Sequence, residues 1–206
     1  MAHNADAIDP EHFRALLELL DDVAKNEACF RAFALSREDR RGLHQCWNQI
    51  SNALALATVN SWCMVFGAWG SNPTHWTNVL VSQHARDLSK RRKRRMAEPA
   101  RRSFRAHLAE SLSLDEKAWT TLHREMCDFR NNYSAHRAIK VDHPLPDLAL
   151  AVRIALELDV WLRNWMRPQR FDYALLKEDA QPYAHAVRTE LGQAFEALRT
   201  RRQGSL

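Results

Sequence analysis

A chain of 206 residues with 46% hydrophobic content is long enough to bury one sizeable core, and two domains would be a squeeze. Glycine and proline number only 5 and 7, which argues against a sheet with many tight turns and in favour of helices. The net charge of +5, from 30 Lys and Arg against 25 Asp and Glu, favours contact with polyanions weakly and does not say which one.

The opening MAHNADAIDPEHF lacks the basic start and apolar run of a secretory signal, so a cytoplasmic protein is expected. Asp9 and Pro10 suit a helix start, and Phe13, Leu16, Leu17, Leu20 and Val23 give the first helix one apolar stripe. Ser36 and Asp39 resemble a capping box that opens a second helix from about Glu38 to Phe66, carried by Leu43, Trp47, Ile50, Leu54 and Ala57. Its exit is the stretch from Gly67 to Pro73. A third segment runs from Thr74 to Leu88, and Ala97-Glu98-Pro99 predicts a break before a short helix through Phe104 and Leu108. Ser113 followed by Glu116 predicts the cap of the next helix, whose seam is Trp119, Leu122, Met126, Phe129 and Tyr133. After VDHPLP, a strong helix is expected from Leu148 to Trp165, and a last one from Ala174 to Arg201, interrupted near Pro182. Asp147, Arg153, Glu157 and Asp159 interrupt the most apolar stretch, so it should pack in a core and no membrane contact is expected. The fold class is therefore all-α: an antiparallel helical bundle, one domain over 1–206, with an inserted loop and basic segment at 67–105.

Cys29, Cys46, Cys63 and Cys127 form no CxxC pair, so neither a disulfide scaffold nor a zinc knuckle is indicated. His123 and Cys127 are four residues apart, and His75 and His84 are further zinc-ligand candidates, but the usual four ligands are not brought together by spacing, so no metal and no cofactor is expected. Trp62, Phe66, Trp69 and Trp76 either stack bases or, the commoner role for such residues, anchor the loop to the core. His75, Trp76, Asp128 and Tyr133 are candidate cleft residues.

Two polar features point to function. Lys90, Arg91, Arg92, Lys93, Arg94 and Arg95 are contiguous, with Arg101, Arg102 and Arg105 close behind, a run that repels itself unless solvated or met by a phosphate backbone or an acidic partner. The second is Arg130-Asn131-Asn132-Tyr133-Ser134-Ala135-His136. An imidazole titrates near neutrality and a guanidinium stays charged, a pairing suited to proton transfer beside a phosphate. The bland reading pairs Arg130 with Asp128, ends a helix at Asn131 and Asn132, and uses His136 to cap it. On a straight helix Arg130 and His136 lie about 120° apart around the axis and about 9 Å along it, so they converge only if the helix ends or bends, if long side chains reach around, or if a second copy contributes.

This segment resembles the R-(N/D/H)-x(3 to 5)-H signature of the HEPN superfamily, helical proteins that include many RNases of bacterial defence and toxin systems. The resemblance loosely covers about residues 10 to 200. It implies a homodimer whose two motifs share a cleft that cuts RNA without a metal, with Arg130 binding phosphate, Asn131 positioning the site and His136 acting as catalytic acid or base. It also implies an antitoxin or another defence-system protein as partner. HEPN toxins paired with minimal nucleotidyltransferases often carry a tyrosine two residues after the histidine; Ala138 stands there, which speaks against modification by such a partner. The GAWGSNPTHW segment resembles insertions in the abortive-infection branches. The alternatives are a non-catalytic nucleic-acid-binding regulator and an antitoxin-like helical interaction module.

Overall fold

The computed structural model describes residues 8–35, 44–69, 72–81, 89–135, 144–166 and, near the C-terminus, 182, 183, 185–187, 189, 190, 192 and 193. The described chain is an all-α bundle in an antiparallel arrangement, with no strand among the described residues. Its elements are α1 (Pro10–Leu35), α2 (His44–Phe66), α3 (Trp76–Leu80), α4 (Lys90–Leu112), α5 (Glu116–Phe129), a π-helical turn (Arg130–Ala135) and α6 (Leu148–Met166). The Ser36–Asp39 cap and most of the expected last helix lie outside the described residues; those described from 182 onward are helical, Pro182 included.

The apolar stripes meet in one core. Leu16, Leu20 and Val23 of α1 join Val59, Trp62 and Phe66 of α2, Phe104 and Leu108 of α4, Leu122 and Met126 of α5, and Ile154, Leu158 and Leu162 of α6. The expected first helix begins where Asp9 and Pro10 placed it: the Asp9 carboxylate accepts from the Glu11 N–H at 3.0 Å, and the Asp9 carbonyl accepts from the Phe13 N–H at 3.0 Å. The helix predicted from Leu148 is present as α6, with Asp147 accepting from the Leu150 N–H at 2.9 Å.

Two expectations are corrected. The chain does not break at Ala97-Glu98-Pro99; α4 runs through Pro99. Ala97, Ala100, Phe104 and Leu108 are all buried and recur every three or four residues, so one continuous helix buries them together. That packing outweighs an interior proline, ordinarily worth about 3 kcal/mol against a helix. The basic run is accordingly the opening of a helix rather than a connection between helices.

Ser113 does not cap α5. Its φ of 53° is left-handed, and it terminates α4, with the Leu114 N–H reaching back to the Leu108 carbonyl at 3.3 Å and Leu114 buried in the core. Asp115 takes the capping role instead, accepting from the Ala118 N–H at 2.7 Å, and Glu116 is freed to pair with Arg105.

Candidate functional site

α5 carries its predicted seam into the core: Trp119, Leu122, Met126 and Phe129 are buried, and Tyr133 packs its ring parallel to that of Phe129 at 5.2 Å. After Phe129 the helix widens into the π turn, which begins at Arg130. Such turns are rare and gather at functional positions. The straight-helix register therefore ends where the polar motif starts. Within the turn Arg130 is half-buried, and its guanidinium donates to the Asn131 amide oxygen from Nε at 3.2 Å and from Nη2 at 2.8 Å. The partner is neutral: Asp128 is exposed, and no carboxylate pairs with Arg130 among the described residues. His136 lies outside the described residues.

Beside this turn, Cys63, His123 and Cys127 come together. The Cys127 sulfur is 4.0 Å from His123 Nδ1, and the buried Cys63 thiol points at the Met126 carbonyl at 3.6 Å. Cys127 is drawn below the ordinary thiol range, first by hydrogen bonding with Cys63 and then by His123 and the Arg130 charge, while burial opposes. Cys63 moves the other way, raised by Cys127 and by burial, so of the two thiols Cys127 releases its proton first. Among the described residues no group of three or more His, Cys, Asp and Glu is arranged to hold a metal ion. His84 lies outside the described residues.

The loop after α2 is pinned by its own amides. Asn72 Nδ2 donates to the Met64 carbonyl at 2.5 Å, and Asn78 Nδ2 donates to the carbonyls of Trp69 and Asn72 at 2.8 and 2.7 Å. Trp62, Phe66 and Trp76 are buried, which is the anchoring role, whereas Trp69 is half-buried. A β-carbon on Gly67 would lie 2.4 Å from the Cys63 carbonyl oxygen, so the chain leaves α2 through a space that admits only glycine.

His75 caps α3, its Nδ1 accepting from the Thr77 N–H at 3.2 Å and meeting the Thr77 hydroxyl at 2.9 Å. Nδ1 accepts, so the ring proton resides on Nε2. His123 Nε2–H donates to the Phe66 carbonyl at 2.9 Å. Both histidines are thus committed to holding the end of α2 and the start of α3. Burial first, then Arg101 and His123, lower the His75 pKa to about 3, against a smaller opposing effect of the Phe66 carbonyl.

A pH prediction follows from that lowered value. The unfolded imidazole takes up a proton near its ordinary 6.5 while the folded one stays neutral. Stability from this group is complete above 6.5 and is lost as pH falls toward about 3, at about 1.4 kcal/mol per pH unit. Asparagine at position 75 keeps a capping oxygen without a titrating ring. Urea midpoints of wild type and His75→Asn between pH 7 and pH 4.5 should converge as pH falls; parallel curves would count against a neutral buried His75.

His75 and Trp76 line one pocket of about 160 Å³ together with Arg101 and Arg105, whereas Asp128 and Tyr133 do not line it. The nine predicted cationic positions divide accordingly. Arg91, Arg92, Arg94, Arg95 and Arg102 are exposed and Lys93 is half-buried along α4, while Lys90 is its first residue. Arg101 and Arg105 turn inward instead. Arg91, Arg94, Arg95 and Glu98 border an open concavity of about 400 Å³. Trp69, Trp119 and His123 of the inward pocket were not singled out as one site by sequence, since only the fold brings residues 69, 105 and 119 together. No protein-family model, no curated protein and no solved structure matches this chain.

Proposed function

We propose that this chain is a metal-independent endoribonuclease of the HEPN type, which binds single-stranded or loop RNA and cleaves it by attack of the 2′-hydroxyl on the adjacent phosphate. Arg130 binds the scissile phosphate, Asn131 orients it, and His136 moves the proton. The observation that carries the reading is the pairing of Arg130 with a neutral amide at the first position of a π turn. An arginine held by a carboxylate would offer little net charge to a phosphate; one held by the neutral Asn131 amide keeps its net charge, and its Nε–Nη2 fork exchanges Asn131 for the phosphate when RNA binds. In this reading the protein is a cytoplasmic homodimer acting in defence or as a toxin, restrained by an antitoxin-like partner, and two motifs share one groove.

The test is incubation of the purified protein with mixed cellular RNA in excess chelator, followed by analysis of the new ends. A 2′,3′-cyclic phosphate and a 5′-hydroxyl are expected, with DNA left uncut because it lacks the attacking hydroxyl. No cleavage across varied RNAs would remove the enzymatic reading.

A second reading, a non-catalytic RNA-binding regulator, is favoured by α4. Its first turn contains no acidic residue, its N-cap Ser89 makes no side-chain capping hydrogen bond, and four arginines are exposed in its first two turns. Positive side chains at the positive end of a helix dipole are unfavourable until an anion meets them. Replacing Arg91, Arg92, Arg94 and Arg95 together by glutamine should reduce the slope of log affinity against log salt by roughly 3, at roughly 0.7 per phosphate contact on a single strand. An unchanged slope would take α4 out of the interface. Both readings share this binding face, and only cleavage separates them.

A further inference from the structure

Two of the thiols meet across the bundle. Cys63 on α2 is 1% exposed, Cys127 near the end of α5 is half-buried, and their side chains are hydrogen-bonded to each other. A free cysteine in a core is ordinarily a small apolar filler, chosen for its volume. Cys127 departs from that role, because its sulfur lies 4.0 Å from Nδ1 of His123, one turn earlier on the same helix. Cys29 is placed differently: it meets the Tyr183 hydroxyl, at 3.7 Å.

The histidine is oriented to take a proton from that sulfur. Its Nε2–H is committed to the Phe66 carbonyl at 2.9 Å, which leaves Nδ1 as the acceptor facing Cys127. Transfer of the thiol proton to Nδ1 gives a thiolate beside an imidazolium, the arrangement in which cysteine is nucleophilic. The titrating and charged groups that face Cys127 all favour it: Cys63 from α2 first, then His123 on its own helix, and Arg130 from the π turn, with burial opposing. His123 is raised in turn, first by its hydrogen bond with Cys127. Cys63, raised by Cys127 and by burial, keeps its proton. One helix thus presents a reachable thiolate, and its neighbour holds a protonated thiol in contact with it.

A second thiol touching the first is what an oxidation needs to run to a stable product. We propose that Cys127 is oxidised by hydrogen peroxide and that Cys63 resolves the product, closing a disulfide between α5 and α2. The Cys127 thiolate attacks one peroxide oxygen, the O–O bond breaks, and the departing hydroxide takes the proton from His123 Nδ1 and leaves as water. Cys127 is then a sulfenic acid. The Cys63 sulfur attacks the Cys127 sulfur, the S–O bond breaks, and the second hydroxide leaves as water with the Cys63 proton. Two electrons have passed from the sulfur pair to the peroxide. Exposure sets the order of the two steps, since solvent reaches Cys127 and not Cys63. The new bond would tie α2 to α5 one turn before Arg130. The assignment involves no RNA and would stand if the chain cut none.

Treatment of the full chain with hydrogen peroxide, alkylation of the remaining thiols and peptide mapping test the assignment without any substitution. The peptides carrying Cys63 and Cys127 should be recovered as one disulfide-linked pair formed within a single chain, and dithiothreitol should return both thiols. In Cys63→Ala, checked for folding by circular dichroism, the sulfenic acid has no thiol to resolve it and should be trapped at Cys127 by dimedone. In Cys127→Ala neither product should form, and Cys63 should stay reduced. An ordinary thiol is only about 0.3% thiolate at pH 6, so there Cys127 should be modified about tenfold faster than Cys29 or Cys46, even after allowance for the weaker nucleophilicity of a less basic thiolate. Oxidation confined to Cys29 or Cys46, linkage between chains in place of linkage within one, no dimedone adduct at Cys127 in folded Cys63→Ala, or modification of Cys127 at pH 6 no faster than that of Cys29 and Cys46 would each overturn the proposal.

Discussion

His136→Ala is expected to lower RNA cleavage in chelator by roughly 10²- to 10⁴-fold while leaving RNA affinity largely intact, because a general acid or base acts on the transition state rather than on the bound strand. Arg130→Ala should also lower turnover, by roughly 10²- to 10³-fold, the range expected when one preorganised donor to developing negative charge is removed. Its binding should weaken too, since the guanidinium meets the ground-state phosphate as well. Arg130→Lys separates charge from geometry: the ammonium keeps the charge and loses the fork that now spans Asn131 Oδ1. Asn131→Ala should fall between wild type and Arg130→Ala, because it releases the arginine without removing it. Single-turnover rates and filter-binding constants on one defined RNA read these effects separately. Full cleavage by folded His136→Ala would exclude the assigned proton-transfer role.

The largest effect on stability is expected at position 104. Phe104 is 1% exposed, and its ring centre lies 5.1 Å from that of Trp76, 5.5 Å from Trp161 and 6.4 Å from Phe66. One side chain thereby joins α2, α3, α4 and α6. Phe104→Ala should destabilise the fold by about 3–5 kcal/mol, from lost apolar transfer and from a cavity that four converging helices close only in part. Met96→Ala on the same helix, where the side chain is 42% exposed, should stay within about 0.5 kcal/mol of wild type. Urea unfolding of both variants checks the comparison; a loss under about 1 kcal/mol at position 104 would mean that the aromatic cluster does not tie the helices together.

How legible the molecule was depended on whether a feature is local or tertiary. The faces of α1 and α6 could be read because Phe13, Leu16, Leu20 and Val23, and Leu148 through Leu162, repeat at helical spacing and find a core there. Pro99 and Ser113 misled for the opposite reason. Each carries a strong local preference, and each is overruled by a buried neighbour, Phe104 for the proline and Leu114 for the serine. The π turn leaves no periodic mark, since Arg130 to Ala135 holds one residue, Tyr133, that continues the apolar seam. The tight pairing of Arg130 with Asn131 was likewise not readable from the motif, whose bland reading had the arginine meeting Asp128. Nor could sequence divide the cationic residues by face. Adjacency groups Arg101 with Arg102, whereas one turns toward Trp69 and the other toward solvent.

Pro99 gives α4 an uneven mechanical character. Having no N–H, it leaves the Arg95 carbonyl without the helical bond that every neighbouring turn receives. Before it, burial rests on Ala97; after it, on Ala100, Phe104 and Leu108. Local opening is governed by how much apolar contact must be broken, so the two halves of this helix differ in opening free energy even though they form one rod. The half that carries Arg91 to Arg95 therefore opens at lower cost than the half that carries Arg101 and Arg105, where Phe104 and Leu108 are held in the core. A long flexible strand would thus meet the compliant end first, and the rigid end would supply the fixed point against which it is held.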